Sequence, residues 1–397
     1  MYCNLNNNPN NRNDNNGVQL WNKLKAYLFI EIFSRELSLV TIKTKNDSVC
    51  KFRVLVEIIS KHILKINFMK RFKNIINEVV EDSNLNKAFD YVISGTKRKT
   101  CKEGRYLIKH REMIILKIKN EISSGTYRVT NWKEFEIKEY NKIRHIQCVS
   151  LYDTIALHAL MTIVEKYLNK RIITDSAAAI KGRGMHYLFV RMYRDMRKYP
   201  NETRFCYKAD IRKFYESIPQ NNLYWVFTQY FKDKILLEIM YYIIHLLPNG
   251  IPIGMRSSQV LGNMYINYYI GRVLKYQAKY KFVRIYCDDI VVQAESYTSL
   301  EMAIKLIHEG AKKAGLQIKS NEKVFDIKKT PIDFLGYVVN WDGKIKIRKR
   351  VKQKVFRQLS RIKSNKRRHE IIYSFYGMSK YAHARNLFKT LQHTFPK

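Results

Sequence analysis

The sequence predicts an α+β fold, and three observations carry that expectation. At 397 residues, 46% hydrophobic and 13% aromatic, the chain can bury a sizeable core. Apolar residues recur at helical spacing in several stretches, as at Phe72, Ile75, Ile76, Val79 and Val80. Runs rich in β-branched and aromatic residues, "RFCYKADI" (Arg204–Ile211), "FVRIYC" and "IVVQAE", gather in the middle of the chain as strands.

Taken in order, the chain opens on "NLNNNPNNRNDNNG" (Asn4–Gly17), a polar low-complexity tract that cannot build a packed core and is expected to be disordered. From Leu20 to about Phe68 the pattern is apolar and basic without a readable motif, so residues 1–68 are assigned to an N-terminal extension. Met69 opens the folded unit and is a candidate alternative start of translation. "REMIILKIKNEISSG" (Arg111–Gly125) reads as a helix, and alternation around Phe135–Ile137 and Arg144–Cys148 as two strands. "LYDTIALHALMTIVEKYL" (Leu151–Leu168) is again helical, and a Gly-Arg-Gly turn at Gly182–Gly184 precedes an amphipathic helix. "ILLEIMYYIIHLL" (Ile235–Leu247) is too short to span a bilayer, carries Glu238 and His245, and reads as a buried helix. The last segment, Trp341–Lys397, holds 17 Lys/Arg against 2 Asp/Glu, with Val351, Val355, Leu359 and Ile362 as one apolar stripe. It is expected to be a basic helical appendage.

Lys and Arg outnumber Asp and Glu by 73 to 34, a net charge of +39. A field of that size gathers phosphates and makes binding steeply salt dependent, so an extended polyanion is the expected partner, against the blander alternative of a solvated basic surface. The six cysteines are widely separated, with no CxxC pair and no His/Cys cluster at zinc spacing. A reduced, cytoplasmic protein without a membrane segment or signal peptide fits them best.

The chemistry is concentrated in "IYCDDIVV" (Ile285–Val292), where two aspartates interrupt an apolar run. A plain surface turn would favour Asn-Gly or Asp-Gly, whereas here "DD" runs straight into "IVV" without a glycine. Like charges held so close raise one another's pKa unless a cation neutralises them. A divalent metal is the simplest remedy. Asp210, at the end of "RFCYKAD", supplies a third carboxylate if its strand neighbours the "DD" pair, and hard oxygen donors of this kind suit Mg²⁺.

"YCDD" (Tyr286–Asp289) resembles the YxDD box of reverse transcriptases, and the likeness extends beyond four letters. "KADIRKFYESI" is similar to that family's first catalytic motif and "NGIPIGMRSSQVLGNMYIN" (Asn249–Asn267) to its glycine loop and helix. "AGLQIKSNEK" (Ala314–Lys323) resembles its lysine-bearing motif, and "FLGY" (Phe334–Tyr337) its primer-grip hairpin. "FEIKEYNKIRHI" and "SAAAIKGRGMH" look like its finger motifs. The ordered set covers about residues 69–392. The resemblance implies a right-hand polymerase with fingers over 69–203, a palm of antiparallel sheet and helices over 204–340, and a short basic thumb over 341–397. It further implies RNA-directed DNA synthesis with two Mg²⁺ ions, Mn²⁺ being a substitute. The implied partners are an RNA template, a DNA or RNA primer, deoxynucleoside triphosphates and an accessory protein.

By the same resemblance Asp210, Asp288 and Asp289 are the catalytic and metal-binding carboxylates, joined by the Ile211 carbonyl. Phe214 and Tyr215 fall beside the nucleotide, with Tyr215 where the family carries an aromatic residue in the space of a ribose 2′-hydroxyl; a core tyrosine is the alternative. In "GIPIGMRSSQ" the glycines allow close backbone approach, Ser257 or Ser258 can cap the helix that follows, and Ile253, Gly254 and Gln259 face the nucleotide. Many relatives have glutamine where this chain has Ile253. With Ser258–Gln259 following, it most resembles the error-prone enzymes of diversity-generating retroelements; simple packing variation is the other account. Lys142, Arg144, Lys181 and Arg183 are expected at the triphosphate or template, although relatives place arginine at the positions of Thr154 and Ile180. Lys323 resembles the lysine near the leaving pyrophosphate. Retron, group II intron-like and phage-defence enzymes remain alternatives within the class, and a non-catalytic RNA-binding protein of the same fold is the rival from another class. Tyr215 and "YCDD" speak against an RNA-templated RNA polymerase.

Overall fold

Why the first helix among the described residues starts where it does is decided far away in sequence. In the computed structural model, which describes residues 70–139 and 142–394, helix α1 (Ile75–Val79) begins after Asn74 in a left-handed conformation. Its free N–H groups are taken by Asp233, whose Oδ2 accepts from Ile75 N at 2.7 Å and Ile76 N at 3.1 Å. Phe72, expected inside that helix, instead lies outside it and bridges to Phe231. The expectations for residues 1–68 and for Met69 fall outside the described residues.

Four further helices follow, α2 (Asp82–Ile93), α3 (Thr96–Thr100), α4 (Lys102–Lys109) and α5 (Arg111–Ser123), and then the hairpin β1 (Trp132–Glu139) and β2 (Lys142–Val149). Helix α6 (Leu151–Leu168) is the hub of this half. Its N-cap Ser150 accepts from Asp153 N, and it buries residues on all sides from Asp153 to Leu168. Asn84 of α2 is tied to it, donating to Val79 O at 2.8 Å and Ala159 O at 3.2 Å.

The second half is built on one sheet. The short strand β3 (Ser176–Ala177) and α7 (Met185–Lys198) lead to β4 (Phe205–Asp210). Helices α8 (Phe214–Ser217), α9 (Gln220–Tyr230), α10 (Lys234–Ile244) and α11 (Arg256–Ile266) come next. Two π-helical turns over Asn267–Gln277 then precede β5 (Phe282–Tyr286), β6 (Asp289–Ala294), α12 (Tyr297–Lys313) and β7 (Lys323–Asp326). The strands form a five-stranded sheet in the order β3-β5-β6-β4-β7, antiparallel except for β3 beside β5. Leu188, Phe189 and Met192 of α7 pack with Cys206 and Val291 of the sheet, while α12 lies against β4 and β6. The arrangement is α+β, as expected. Helix α10 corrects one expectation, however. It buries Leu236, Ile239, Met240, Ile243 and Ile244, but Tyr241 and Tyr242 are 44% and 47% exposed, so it is amphipathic rather than buried throughout.

A three-stranded meander, β8 (Ile332–Phe334), β9 (Tyr337–Val339) and β10 (Ile345–Ile347), adds Phe334, Tyr337 and Val339 to the same core as α7. Its first turn is Leu335–Gly336, both at positive φ (51° and 84°), as a two-residue hairpin connection requires. The chain continues in α13 (Lys349–Arg361), α14 (Asn365–Met378) and α15 (Arg385–Thr394), whose apolar residues form their own cluster around Leu359, Ile371, Phe375 and Leu391. Among the described residues no helix is long and apolar enough to cross a membrane.

Candidate active site

Strand pairing settles where the aspartates meet. Asp210, the last residue of β4, is the register partner of Asp289, the first residue of β6, and Tyr286 of β5 pairs with the same Asp289. The turn is therefore Cys287–Asp288, one residue earlier than a turn made of the two aspartates. Cys287 carries it with φ 56°, a left-handed conformation that favours glycine and stores strain at this point. Asp288 closes the corner, its carbonyl accepting from Ile211 N at 3.2 Å. Ile211 itself is buried and bridges Ile318.

The three acids are thus gathered at one end of the three central strands. Burial, together with the charges of Asp210 and Asp289, pushes the Asp288 carboxyl up to about 6. Burial likewise raises Asp289, against the opposing pull of Lys208. Among the described residues no three His, Cys, Asp or Glu side chains close into a ready-made metal cage. The donor chemistry nevertheless fits a hard cation, because it is all oxygen, half-buried and mutually repulsive. One cation is already present in the protein: Lys319 Nζ forms an ion pair with Asp210 Oδ1.

Lys319 was not anticipated. The lysine expected near the pyrophosphate, Lys323, opens β7 opposite Lys208 and is exposed at the sheet edge. Both lie in "AGLQIKSNEK". What separates them is a bulge, which spacing alone does not reveal.

Tyr215 is fixed at three points. Its carbonyl accepts from Ile251 N at 2.9 Å, its ring lies so close to Gly262 that a Cβ there would meet Cε1 at 3.1 Å, and its hydroxyl lies 3.0 Å from Cys287 Sγ. Phe214 is buried beside it with ring centroids 5.2 Å apart. Burial pushes the Cys287 thiol up to about 12 and raises the Tyr215 hydroxyl as well, so both keep their protons at neutral pH.

The glycine loop is held from two sides. Gly250 (φ 64°) runs against the backbone of Glu216, where a Cβ would come within 2.5 Å of its carbonyl oxygen. Gly254 (φ 108°) approaches the finger-like hairpin, where a Cβ would lie 2.9 Å from Gln147 O. Gln147 is the other residue that sequence reading missed. It is buried on β2, its N–H donates to Ile253 O and its Oε1 accepts from Ile253 N, both at 2.9 Å. Ile253 is half-buried, and Gly254 and Gln259 are exposed. Neither serine caps α11. Met255 holds the N-cap position without a side-chain bond, and the Ser258 hydroxyl instead donates to Pro252 O, bracing the loop.

The basic residues are less convergent. Arg144 is exposed on β2 opposite Ile137, Lys181 is exposed, and Arg183 spends a guanidinium N–H on Ile173 O at 3.2 Å. Thr154 donates to Ser150 O within α6, and Ile180 is buried.

The family model for reverse transcriptase (RNA-dependent DNA polymerase) matches residues 118–339. No curated protein sequence matches the chain. Among solved structures, apo telomerase from Candida tropicalis truncated from its C-terminal domain is similar with a TM-score of 0.45 and 14% identity, over 55% of this chain and 55% of that one. Telomerase from Candida albicans in complex with the TWJ fragment of telomeric RNA gives 0.43 and 12%, over 69% of this chain and 60% of that one. The chain therefore matches little more than half the length of these telomerases.

Proposed function

The chain belongs to the reverse transcriptase (RNA-dependent DNA polymerase) family, and from that premise we propose that it joins deoxynucleotides to a primer 3′-hydroxyl on an RNA template. The observation that carries this reading is the register that sets Asp210 against Asp289 with Asp288 at the adjoining turn. Asp210, Asp288, Asp289 and the Ile211 carbonyl would hold two Mg²⁺ ions, or Mn²⁺ in their place. When bound, the ions activate the attacking hydroxyl and offset charge on the leaving pyrophosphate. The buried strands β4, β5 and β6 keep the acids from drifting as charge builds up between them.

Tyr215, pinned by Cys287, fills the space a 2′-hydroxyl would need, which supports deoxynucleotides as substrate. Residues 69–203, 204–340 and 341–397 act as fingers, palm and thumb, with Arg144, Lys181 and Arg183 at the template or triphosphate. A basic chain of this net charge supports an RNA template and a DNA or RNA primer as partners. The described cysteines are free thiols, which supports a reducing, cytoplasmic setting.

The finer assignment is to the error-prone enzymes of diversity-generating retroelements. Ile253 supports it: Gln147 already takes both of its backbone polar groups, and its side chain brings no hydrogen bond with which to check a new base pair.

Primer extension on an RNA template with Mg²⁺, followed by sequencing of the products, tests both levels. Asp288→Asn should lower extension by at least about a thousandfold, the scale of losing a group that acts only on the transition state, while leaving the melting temperature intact. The retroelement enzymes that the chain resembles are error-prone at template adenines, so on this assignment errors should concentrate opposite them. A folded Asp288→Asn enzyme with normal extension removes the catalytic assignment, and uniform fidelity across template bases removes the retroelement one.

A further inference from the structure

Lys319 is delivered to Asp210 by the backbone. Continuing the β4–β7 register from Lys208↔Lys323 would place Asn321 opposite Asp210. The bridge Ile211↔Ile318 places Lys319 there instead, with Lys319 N donating to Asp210 O at 2.8 Å and Arg212 N to Gln317 O at 2.8 Å. Residues Ser320, Asn321 and Glu322 therefore bulge from the strand, and a bulge of this kind re-aims a side chain. It is anchored at its root. Glu322 accepts from the hydroxyl of buried Tyr207 and lies 3.0 Å from His308 Nε2 on α12. The pair it holds is half-sheltered: the Lys319 and Asp210 side chains are 26% and 31% exposed.

The Lys319 ammonium holds Asp210 Oδ1, so a metal ion approaching that carboxylate meets its positive charge at close range, and each weakens the other's hold. Resting on the reading of Asp210 as a metal carboxylate, we infer that Lys319 is a built-in counter-cation that occupies Asp210 in the free enzyme and must leave it before a divalent ion binds. It is a positioning residue, not a ligand. Two consequences follow from charge alone. Metal binding to the free enzyme is weak, because the first ion has to displace a tethered cation. Once displaced, the ammonium needs an anionic partner, and the triphosphate of an incoming nucleotide is the one the reaction supplies. Metal and nucleotide then strengthen each other's binding by the same factor.

Replacing Lys319 with Met removes both the competitor and its repulsion. Unit charges about 4 Å apart interact strongly enough at a protein surface to shift a binding constant roughly tenfold or more. Electron paramagnetic resonance of free Mn²⁺, titrated into the full-length protein without nucleic acid, reads binding without any turnover. K319M should bind Mn²⁺ about tenfold or more tightly than wild type, and the tightening that a deoxynucleoside triphosphate brings should shrink. K319R should keep the wild-type midpoint. E322Q, which keeps the lysine and loosens the bulge, should move the midpoint in the same direction by less, and it serves if K319M does not fold. Mn²⁺ binding by wild type that neither K319M nor E322Q alters overturns the inference alone, reducing the pair to a structural salt bridge. Absence of binding in wild type and K319M alike overturns the metal-site reading and the inference with it.

Discussion

The sugar-discriminating role proposed for Tyr215 requires an immobile side chain, and its contacts from three segments meet that condition. Its carbonyl holds the glycine loop at Ile251, Gly262 gives its ring room that any side chain would take, and Cys287 holds its hydroxyl. Tyr215→Ala should therefore lower the preference for deoxynucleotides over ribonucleotides by roughly ten- to two-hundredfold, the range open to a purely steric pocket. Tyr215→Phe keeps the ring and loses only the bond to Cys287, so it should stay near wild type. Single-turnover incorporation of paired deoxy- and ribonucleotides measures both, and an alanine variant that still rejects ribonucleotides makes Tyr215 an ordinary core residue. At this scale the sequence was partly legible. Tyr215 stands five residues after Asp210 and is singled out there by resemblance to the family's first catalytic motif. Its partner could not be found in that way, because the turn lies at Cys287–Asp288 and a cysteine at positive φ has no local signature. Lys319 was hidden for a related reason: period-two counting from Lys323 lands on Asn321, and only the bulge brings the other lysine to Asp210.

Among the elements, the hairpin β1–β2 is the one whose placement most needs an explanation. It leaves Phe135, Ile137 and Ile143 46%, 45% and 53% exposed, so burial of its own apolar surface does not fix it. Its hold on the glycine loop is polar, through the paired bonds of Gln147 with Ile253 and the close approach at Gly254. Gln147→Leu keeps the volume and leaves Ile253 N–H without its partner, at a cost of about 1–3 kcal/mol. Because that cost falls at the junction of hairpin and loop, the KM for deoxynucleotides should rise more than kcat falls. Steady-state kinetics on a fixed primer–template measure the split, and equal KM values in variant and wild type disconnect the hairpin from nucleotide binding. The elements themselves were readable from period: the strands at Arg204–Ile211 and around Asp288 and the helix Leu151–Leu168 lie where alternation and helical spacing put them. Junctions between distant elements were not. Asp233 caps α1 from the start of α10, and Ser258 braces a loop instead of capping α11, and neither choice has a mark in the local sequence.

Across the whole molecule the charge excess acquires a direction only where a helix sorts it. In α13 the apolar stripe of Val351, Val355 and Leu359 turns inward to Ile371 and Phe375, which leaves Arg350, Lys354, Arg357 and Arg361 exposed at helical spacing along another side. Four cations in a row match the phosphate ladder of a template–primer duplex, whereas charges scattered over the rest of the surface contribute mainly a diffuse field. If all four meet phosphates, each releases about one counterion on binding, and converting them to glutamine should flatten the slope of log K against log salt by roughly 3 to 4. Affinity for an RNA–DNA duplex should fall correspondingly at low salt and converge with wild type at high salt. The aspartate site lies on the sheet, so extension of saturating primer–template should survive at low salt. Binding isotherms over a series of salt concentrations decide the matter. A slope unchanged by the four substitutions would mean that the duplex is held by other cations and that α13 is a solvated amphipathic helix, however basic it is.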